Sequence, residues 1–175
     1  TSNNTNVTNC FFKDFYHGIF YQHSNDSRIY NNTFTSNRDG IYTSTSSNLT
    51  ISNNNAVNNS NYGIWLASNS SNNTISFNNV SNHTCGGCYG IRLGGGNGVS
   101  HKNVLKNNAY SNNFDGYFLD SAQENTGYNE YISGSGNIDV YLNSSSQLTL
   151  VDSFFNHAKT TIAIAGSNLT VNWTM

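Results

Sequence analysis

The feature of this sequence that most constrains its fold is a Gly-Ile element that recurs along the chain. Intact copies are Gly18-Ile19-Phe20-Tyr21, Gly40-Ile41-Tyr42-Thr43, Gly63-Ile64-Trp65-Leu66 and Gly90-Ile91-Arg92-Leu93. It then degrades to Gly116-Tyr117-Phe118-Leu119, Asn137-Ile138-Asp139-Val140 and Thr161-Ile162-Ala163-Ile164. The intervals between the Ile19 equivalents are 22, 23, 27, 26, 21 and 24 residues. Self-similarity with this period is typical of solenoids, in which successive repeats stack.

Each Gly-Ile element alternates apolar and variable positions. The residue after Gly and the one two places later are mostly aliphatic, whereas the residue between them varies from Trp65 to Asp139. Alternation with one constant face predicts a β-strand with one side buried. We therefore expect a column of side chains stacked inside the solenoid, made up of Ile19, Ile41, Ile64, Ile91, Ile138 and Ile162.

The other half of each repeat is an apolar segment interrupted by asparagine, at residues 29–34, 51–56, 75–80 and 104–109. Alignment of these segments places Asn32, Asn54, Asn78 and Asn107 in one column, with Cys10 and Ser153 at its ends. A second column holds Asn37, Asn59, Asn82 and Asn112. Asparagine tolerates the left-handed conformation that a tight corner needs, and its amide can bond the coils above and below. These columns are the predicted corners.

Together these patterns predict an all-β fold, a right-handed parallel β-helix (β-solenoid) of about seven coils with Asn-rich corners. Residues 1–175 would form a single domain that is uncapped at both ends. Such a domain could belong to a longer protein. The chain has 34 Asn and no Pro. A low-complexity linker is the alternative, but linkers do not keep Ile in register with the corners. Pro is excluded because nearly every N–H of a parallel solenoid bonds the next coil.

The repeat, Ile-x-Asn-Asn-x-apolar, a polar corner and then Gly-Ile-x-Leu, resembles the parallel β-helix repeats of the pectate-lyase-like superfamily. It is similar in particular to the repeats of the periplasmic copper-maturation family and of archaeal surface-layer and sheath proteins. The resemblance covers about residues 7–173. It implies the fold but not the function, because this scaffold hosts lyases, hydrolases, adhesins and coat proteins.

The acidic residues do not predict a catalytic pair. Two carboxylates that act on a glycosidic bond lie roughly 5 to 9.5 Å apart. Asp39 and Asp115 occupy equivalent positions but are three coils apart, about 14 Å at a coil rise of ~4.8 Å. Asp120, Glu124 and Asp152 have no convincing partner on an adjacent coil. We therefore expect no catalytic residues and no enzymatic activity.

Cys85 and Cys88 fall in the longest interval and are predicted to lie in a protruding loop. An extracellular chain favours disulfides, either between these two residues or to another molecule. A zinc or copper site built from His83, Cys85, Cys88 and His101 is a second interpretation, and free thiols are a third. Apart from that metal, no cofactor is expected.

Cys10 cannot reach that loop. It lies three coils below Cys85, whereas the Cα atoms of a disulfide are roughly 4.4 to 6.8 Å apart. An odd cysteine in a secreted protein suggests a bond between subunits.

Two surface features point to contacts outside the chain. The outward positions of the Gly-Ile strands hold Phe20, Tyr42, Trp65 and Phe118, together with Arg92. Such a row is either a platform for sugar rings or a protein interface, and we favour protein contact. Asn-x-Ser/Thr acceptors for covalent glycans include Asn6, Asn25, Asn31, Asn48, Asn69 and Asn168.

Composition narrows the function further. Charged residues are 9% of the chain and the net charge is −2, so no basic stripe predicts a nucleic-acid partner. No apolar run is long enough to span a membrane. Both ends stop within a repeat, which predicts head-to-tail stacking of identical subunits.

We therefore expect an extracellular or cell-surface structural subunit of a homopolymer, such as a sheath, S-layer or fibre, assembled by β-sheet stacking and intersubunit disulfides. A glycan- or metal-binding surface module is the first alternative. A polysaccharide lyase or hydrolase is the second.

Overall fold

The computed structural model describes residues 3–162 and 166–174, and it confirms the predicted fold class. The strands wind into a parallel solenoid of about seven coils, and each strand pairs in parallel with its equivalent on an adjacent coil. Ala163 and Ile164, which complete the last predicted Gly-Ile element, lie outside the described residues.

The strands are short except where they contain the Gly-Ile element. In chain order they are β1 (Asn6–Thr8), β2 (Phe11–Lys13), β3 (His17–Gln22), β4 (Arg28–Tyr30), β5 (Thr33–Thr35), β6 (Asp39–Ser44), β7 (Thr50–Ser52), β8 (Asn55–Val57), β9 (Tyr62–Ala67), β10 (Thr74–Ser76), β11 (Asn79–Ser81), β12 (Tyr89–Gly94), β13 (Ser100–His101), β14 (Val104–Lys106), β15 (Ala109–Ser111), β16 (Asp115–Asp120), β17 (Ala122–Gln123), β18 (Asn125–Tyr128), β19 (Tyr131–Ser133), β20 (Ile138–Asn143), β21 (Gln147–Val151), β22 (Thr160–Ile162) and β23 (Asn168–Asn172). A 3₁₀ turn spans His157–Lys159.

Three sheets run the length of the solenoid. The first sheet has the order β1-β4-β7-β10-β14-β18-β21-β23, the second β2-β5-β8-β11-β15-β19 and the third β3-β6-β9-β12-β16-β20-β22. A two-stranded sheet pairs β13 with β17. The segment predicted as one half of each repeat is thus two strands on either side of a corner, one in the first sheet and one in the second.

The predicted inner column holds for four coils and then slips. Ile19, Ile41, Ile64 and Ile91 pair in register on the third sheet, but the column continues through Tyr117 and Val140. Ile138 instead pairs with Asp115 on the outer face. Ile162 pairs with Leu142, two residues further along the strand. Asp139, not Asn137, occupies the glycine position of its coil, which shifts the apparent repeat by two residues.

The glycine of each Gly-Ile element is explained by close approach of the next coil. A Cβ atom on Gly40 would lie 2.5 Å from the backbone oxygen of Gly63, which is well inside contact distance. The glycine therefore permits the coils to stack at their hydrogen-bonding distance.

The corners are built from two consecutive residues with different roles. The first has a positive φ and an exposed side chain, as in Asn31 and Asn53. The second turns its side chain inward: the Oδ1 of Asn54 accepts the N–H of Asn32 at 3.0 Å, and its Nδ2 donates to the carbonyl of Ile29 at 2.9 Å. Each inward amide thereby bonds backbone groups that the turn leaves without partners.

These bonds form ladders that correct three predicted positions. The first ladder runs through Asn32, Asn54, Asn78, Asn108 and Glu130, with Cys10 and Ser153 at its ends. The second runs through Asn37, Asn59, His83 and Asn113. The predicted Asn107, Asn82 and Asn112 each lie one residue earlier, at exposed positions with positive φ. The predicted alignment is wrong by one residue at Asn107, because Leu105, and not Val104, pairs with Ile75.

A third ladder of Asn73, Asn103 and Asn125 was not predicted. The residue before Asn73 in this column is Leu49, whose N–H donates to Asn73 Oδ1 at 2.9 Å. The coils nearer the N-terminus hold no asparagine at this position, so the repeat pattern of the sequence does not reveal the column.

His83 replaces asparagine in the second ladder as a buried neutral imidazole. Its Nδ1 accepts the N–H of Asn59 at 3.2 Å, and its Nε2 lies 3.2 Å from the carbonyl of Ala56. Burial lowers the pKa of His83 to about 4, although the two backbone contacts oppose the shift. The folded protein therefore binds this proton far less well than the unfolded chain.

The substitution His83→Asn is expected to remove one source of acid instability. In the native protein this contribution is present above pH 6.5 and is lost as the pH falls through about 4, which amounts to about 3 kcal/mol. Asparagine restores the ladder without a titrating group. Urea unfolding between pH 4 and 7 tests this, and a free energy of unfolding with the same pH slope in both proteins would contradict it.

Glu130 is an acidic member of the first ladder, and burial shifts its pKa in the direction opposite to that of His83. Its Oε1 accepts the N–H of Asn108 at 3.2 Å, and Oε2 accepts the hydroxyl of Tyr110. Burial raises the pKa of Glu130 to about 7 despite the donors from Tyr110 and Asn108.

The substitution Glu130→Gln should therefore stabilise the protein in alkaline solution. A raised carboxyl pKa gives a contribution that is full below pH 4.5 and lost as the pH rises through about 7, again about 3 kcal/mol. The amide keeps the acceptor for Asn108 and does not ionise. The test is urea unfolding from pH 5 to 9; if both proteins lose the same stability over this range, Glu130 is not responsible.

Candidate active site

The outer face of the third sheet carries two rows of polar and aromatic side chains, one residue per coil. The histidine row contains His17, Asp39, Tyr62, Tyr89, Asp115 and Ile138. The aromatic row contains Phe20, Tyr42, Trp65, Arg92, Phe118 and Tyr141. Residues of one row on adjacent coils are direct neighbours, so chemistry on this face depends on which coils follow one another.

Rings of the aromatic row pack against one another and against the histidine row. The rings of Phe20 and Tyr42 are parallel within 7° with centroids 5.0 Å apart, and the ring of Phe118 stacks on Tyr89 of the histidine row at 4.3 Å. Phe20 is 49% exposed, but Phe118 is only 6% exposed. Because neighbouring rings cover the ring faces, the row presents mainly ring edges and hydroxyl groups to a ligand.

Arg92 is part of this packing. Its Cζ lies 4.9 Å from the Trp65 ring and 5.3 Å from the Phe118 ring. Its Nη1 donates to the hydroxyl of Tyr62 at 2.9 Å and its Nη2 lies 3.4 Å from Asp120 Oδ2. With its side chain only 18% exposed, Arg92 holds neighbouring rings together and has little capacity left for a ligand.

Arg92→Ala is expected to lower the free energy of unfolding by about 1–3 kcal/mol through lost cation–π and stem packing. The exposed Arg28 is the matched control, and Arg28→Ala should change stability by less than about 0.5 kcal/mol. Urea unfolding at neutral pH gives both values, and an equal effect of the two substitutions would contradict the packing role.

A cluster of four polar residues lies on the first two coils. We call Tyr16, His17, Arg38 and Asp39 the histidine cluster. His17 Nδ1 is 2.9 Å from Asp39 Oδ2, and Arg38 Nη1 is 3.5 Å from the same oxygen. Arg38 Nη1 also donates to the hydroxyl of Tyr16 at 2.5 Å, with its guanidinium over the Tyr16 ring. The carboxylate of Asp39 thus contacts both the imidazole of His17 and the guanidinium of Arg38.

Comparison with Asp115 isolates what is special about Asp39. In both residues Oδ1 accepts bonds from the next coil, from Asn61 and the N–H of Tyr62 for Asp39 and from Asn137 and the N–H of Ile138 for Asp115. These bonds are structural. Only in Asp39 does Oδ2 face a histidine and an arginine. Burial raises the pKa of Asp115, with the donors from Asn137 and Ile138 opposing it.

The position of Asp39 orients the imidazole of His17. A carboxylate at Nδ1 favours the tautomer with its proton on that nitrogen. Nε2 then carries the free lone pair, because the contact with Asp39 uses Nδ1. Partial burial lowers the pKa of His17, the attraction of Asp39 opposes the shift and the charge of Arg38 adds to it. The lowered pKa favours the unprotonated imidazole.

The cluster was not predicted from the sequence, because its four members are of different types and do not form a pair of carboxylates. The signal was present in the repeat: the two residues before the glycine are Tyr16-His17 on one coil and Arg38-Asp39 on the next. Since each position stacks on its equivalent, His17 meets Asp39 and Tyr16 meets Arg38.

The predicted metal ligands are not brought together. His83 is buried in the second ladder, whereas Cys85 and Cys88 are joined by a disulfide with a Cα separation of 5.2 Å. His101 lies on β13, where it pairs with Gln123. Across residues 3–162 and 166–174, no three His, Cys, Asp or Glu side chains are grouped so as to hold a metal ion.

The Cys85–Cys88 disulfide stabilises the fold less than a disulfide that closes a long loop would. The bond closes a loop of only four residues, and chain entropy assigns such a loop about 2 kcal/mol against about 3 kcal/mol for fifteen residues. Cys10 is exposed and is not disulfide-bonded.

The proposed glycan acceptors differ in accessibility. Asn6, Asn31, Asn48, Asn69 and Asn168 are exposed. Asn25 is half-buried, and its Oδ1 accepts the N–H of Ser47 at 3.0 Å. Separately, no helix among the described residues has the length and apolar character needed to cross a membrane.

Comparison with known proteins bears on both fold and function. A single mutant of the periplasmic alginate epimerase AlgG aligns over 98% of this chain and 46% of its own, with 21% identity and a TM-score of 0.82. The Azotobacter vinelandii mannuronan C-5 epimerase AlgE4 A-module aligns over 99% and 55%, with 13% identity and a TM-score of 0.66. The Agl-KA catalytic domain aligns over 97% and 47%, with 16% identity and a TM-score of 0.51. No curated protein matches the sequence.

These structures share the fold and overturn two expectations. They are named as an alginate epimerase, a mannuronan C-5 epimerase and a catalytic domain, not as sheath proteins. The predicted structural role in a surface polymer and the predicted absence of enzymatic activity are therefore wrong: the coil architecture from which we argued for a polymer occurs in enzymes. The chain spans less than half of the length of AlgG.

The resemblance to β-helix repeat proteins is confirmed. A family model described as the right handed beta helix region matches residues 1–99, which is more than half of the chain. The structure continues the same coil pattern beyond that match, through β23. The chain belongs to the right-handed β-helix family.

Proposed function

We propose that this protein modifies an acidic polysaccharide outside the cytoplasm, and that the histidine cluster transfers a proton at the sugar carbon that bears the carboxylate. The observation that carries the proposal is the free Nε2 of His17, with Asp39 behind it and Arg38 beside it. The word periplasmic in the name of AlgG supports a location outside the cytoplasm.

Arg38 is the residue suited to bind the carboxylate. Its side chain is 41% exposed, and its two contacts use only Nη1, which leaves Nη2 and Nε to a ligand. A guanidinium binds a carboxylate through two parallel hydrogen bonds. Neutralising that charge makes the adjacent C–H more acidic.

His17 is the base in this proposal. The pKa of His17 lies below its usual value, so the imidazole is unprotonated and ready to accept the carbon-bound proton at Nε2. The imidazolium that forms is then stabilised by Asp39 at 2.9 Å. A positioned base of this kind contributes about 10² to 10⁴ in rate.

Tyr16 is the matching acid. Its hydroxyl oxygen accepts a bond from Arg38 and retains its own proton for donation. Return of a proton to the opposite face of the carbon gives the epimer, whereas protonation of the glycosidic oxygen gives elimination. Both outcomes begin with the same abstraction, so the cluster supports either.

A polymeric substrate fits the shape of this face. The rows run along the solenoid axis, and next to the cluster they present the half-exposed Phe20 and the partly exposed Tyr42 and Trp65. AlgG and the AlgE4 module, which share the fold, are named for alginate and mannuronan. Their likeness supports an acidic polysaccharide as the class of substrate.

The experiment is solvent deuterium incorporation. The full chain is incubated in D₂O with polymannuronate, polyguluronate and polygalacturonate, and exchange at the carboxylate-bearing carbon is followed by NMR, with ultraviolet absorbance for unsaturated products. His17→Gln should lower the rate by about 10² or more. Tyr16→Phe should lower kcat, and Arg38→Gln should mainly raise KM. His101→Gln, on β13, is the matched control and should leave the rate unchanged.

Two results would contradict the proposal. Binding of these polymers without exchange or conversion would leave a glycan-binding module, the first alternative from the sequence. Full activity of His17→Gln in a protein that does exchange deuterium would show that the base is another residue.

A further inference from the structure

The turn between β11 and β12 combines an exposed and a buried cysteine. Cys85 is exposed, and Gly86 and Gly87 have open space around them. Cys88 is fully buried. Cys85 is therefore open to a molecule in solution, whereas Cys88 is enclosed by the coil.

The turn does not need the disulfide to keep its shape. The N–H of Cys88 donates to the carbonyl of Cys85 at 3.1 Å. The next coil bonds both flanks, since the carbonyl of His83 accepts the N–H of Phe114 at 2.6 Å and that of Cys88 accepts the N–H of Asp115 at 3.0 Å. These backbone bonds remain when the disulfide is broken.

The buried sulfur also has a partner ready for its reduced state. Cys88 Sγ lies 3.1 Å from the carbonyl oxygen of Ser60 on the coil below. A disulfide sulfur has no proton to give this oxygen, but a thiol has. Reduction therefore adds a hydrogen bond at Cys88 and places the second thiol of the pair in solvent at Cys85.

We infer that Cys85 and Cys88 form a reversible dithiol–disulfide site for small thiols, and not a structural staple. A thiolate attacks the exposed Sγ of Cys85 and the S–S bond breaks, which leaves a mixed disulfide on Cys85. Cys88 departs as a thiolate and takes a proton, with Ser60 as its acceptor. A second thiol attacks the mixed disulfide and frees Cys85. In sum, one disulfide and two thiols give two cysteine thiols and one external disulfide.

The inference is tested with glutathione on a Cys10→Ser background, which removes the exposed unbonded cysteine. The protein is equilibrated in buffers of graded glutathione ratio, alkylated and weighed by mass spectrometry. Reduced glutathione should open the pair fully and oxidised glutathione should close it again. The reduced protein should keep its β-sheet circular dichroism and melt no more than about 8 °C lower. A pair that stays closed in fully reduced glutathione, or a chain that unfolds on reduction, would overturn the inference.

Two single variants on the same background identify the attacked sulfur. Cys88→Ser leaves the exposed Cys85, which should accumulate a glutathione adduct at least ten times faster than the buried Cys88 in Cys85→Ser. Equal rates in the two variants would show that Cys85 is not the point of attack. Neither cysteine belongs to the histidine cluster, so the result is independent of the proposed enzymatic activity.

Discussion

The inward amide at each corner is the interaction on which the rest of the structure depends. A corner residue with positive φ bends the chain, and the following side chain bonds the backbone that the bend leaves exposed. Asn54 does this twice, for the N–H of Asn32 and the carbonyl of Ile29. A buried polar group without such a partner costs about 1–3 kcal/mol. The ladders therefore set the coil rise and, with it, the register of every other column.

The histidine cluster follows from that register. No loop or helix positions His17 against Asp39; they meet because equivalent positions of consecutive coils stack on the third sheet. Asp115 shows that the same site without these neighbours is only a structural carboxylate, bonded by Asn137 and the N–H of Ile138. Function on this scaffold thus depends on which residues occupy adjacent coils at one position.

The sequence predicted the fold because its strongest signals, the glycine column and the isoleucine column, reflect close packing that recurs on each coil. It failed where a coil departs from the pattern. Asp139 takes the place of a glycine, so Ile138 imitates the buried residue that is in fact Val140. Adjacent asparagines such as Asn107 and Asn108 have the same chemistry but opposite orientations, and only backbone conformation tells them apart. The cluster was missed because its residues are distant in sequence and of four different types.

Stacking also determines how such a protein can change by gain or loss of whole coils. Duplication of a coil on the C-terminal side of β6 would leave His17 and Asp39 adjacent, and the duplicated coil would bring its own ladder amides. Insertion of a different coil between β3 and β6 would remake the same hydrogen bonds yet move His17 away from Asp39 by one further coil, ~4.8 Å. Length is therefore free to vary in this fold wherever it does not fall between two residues that act together.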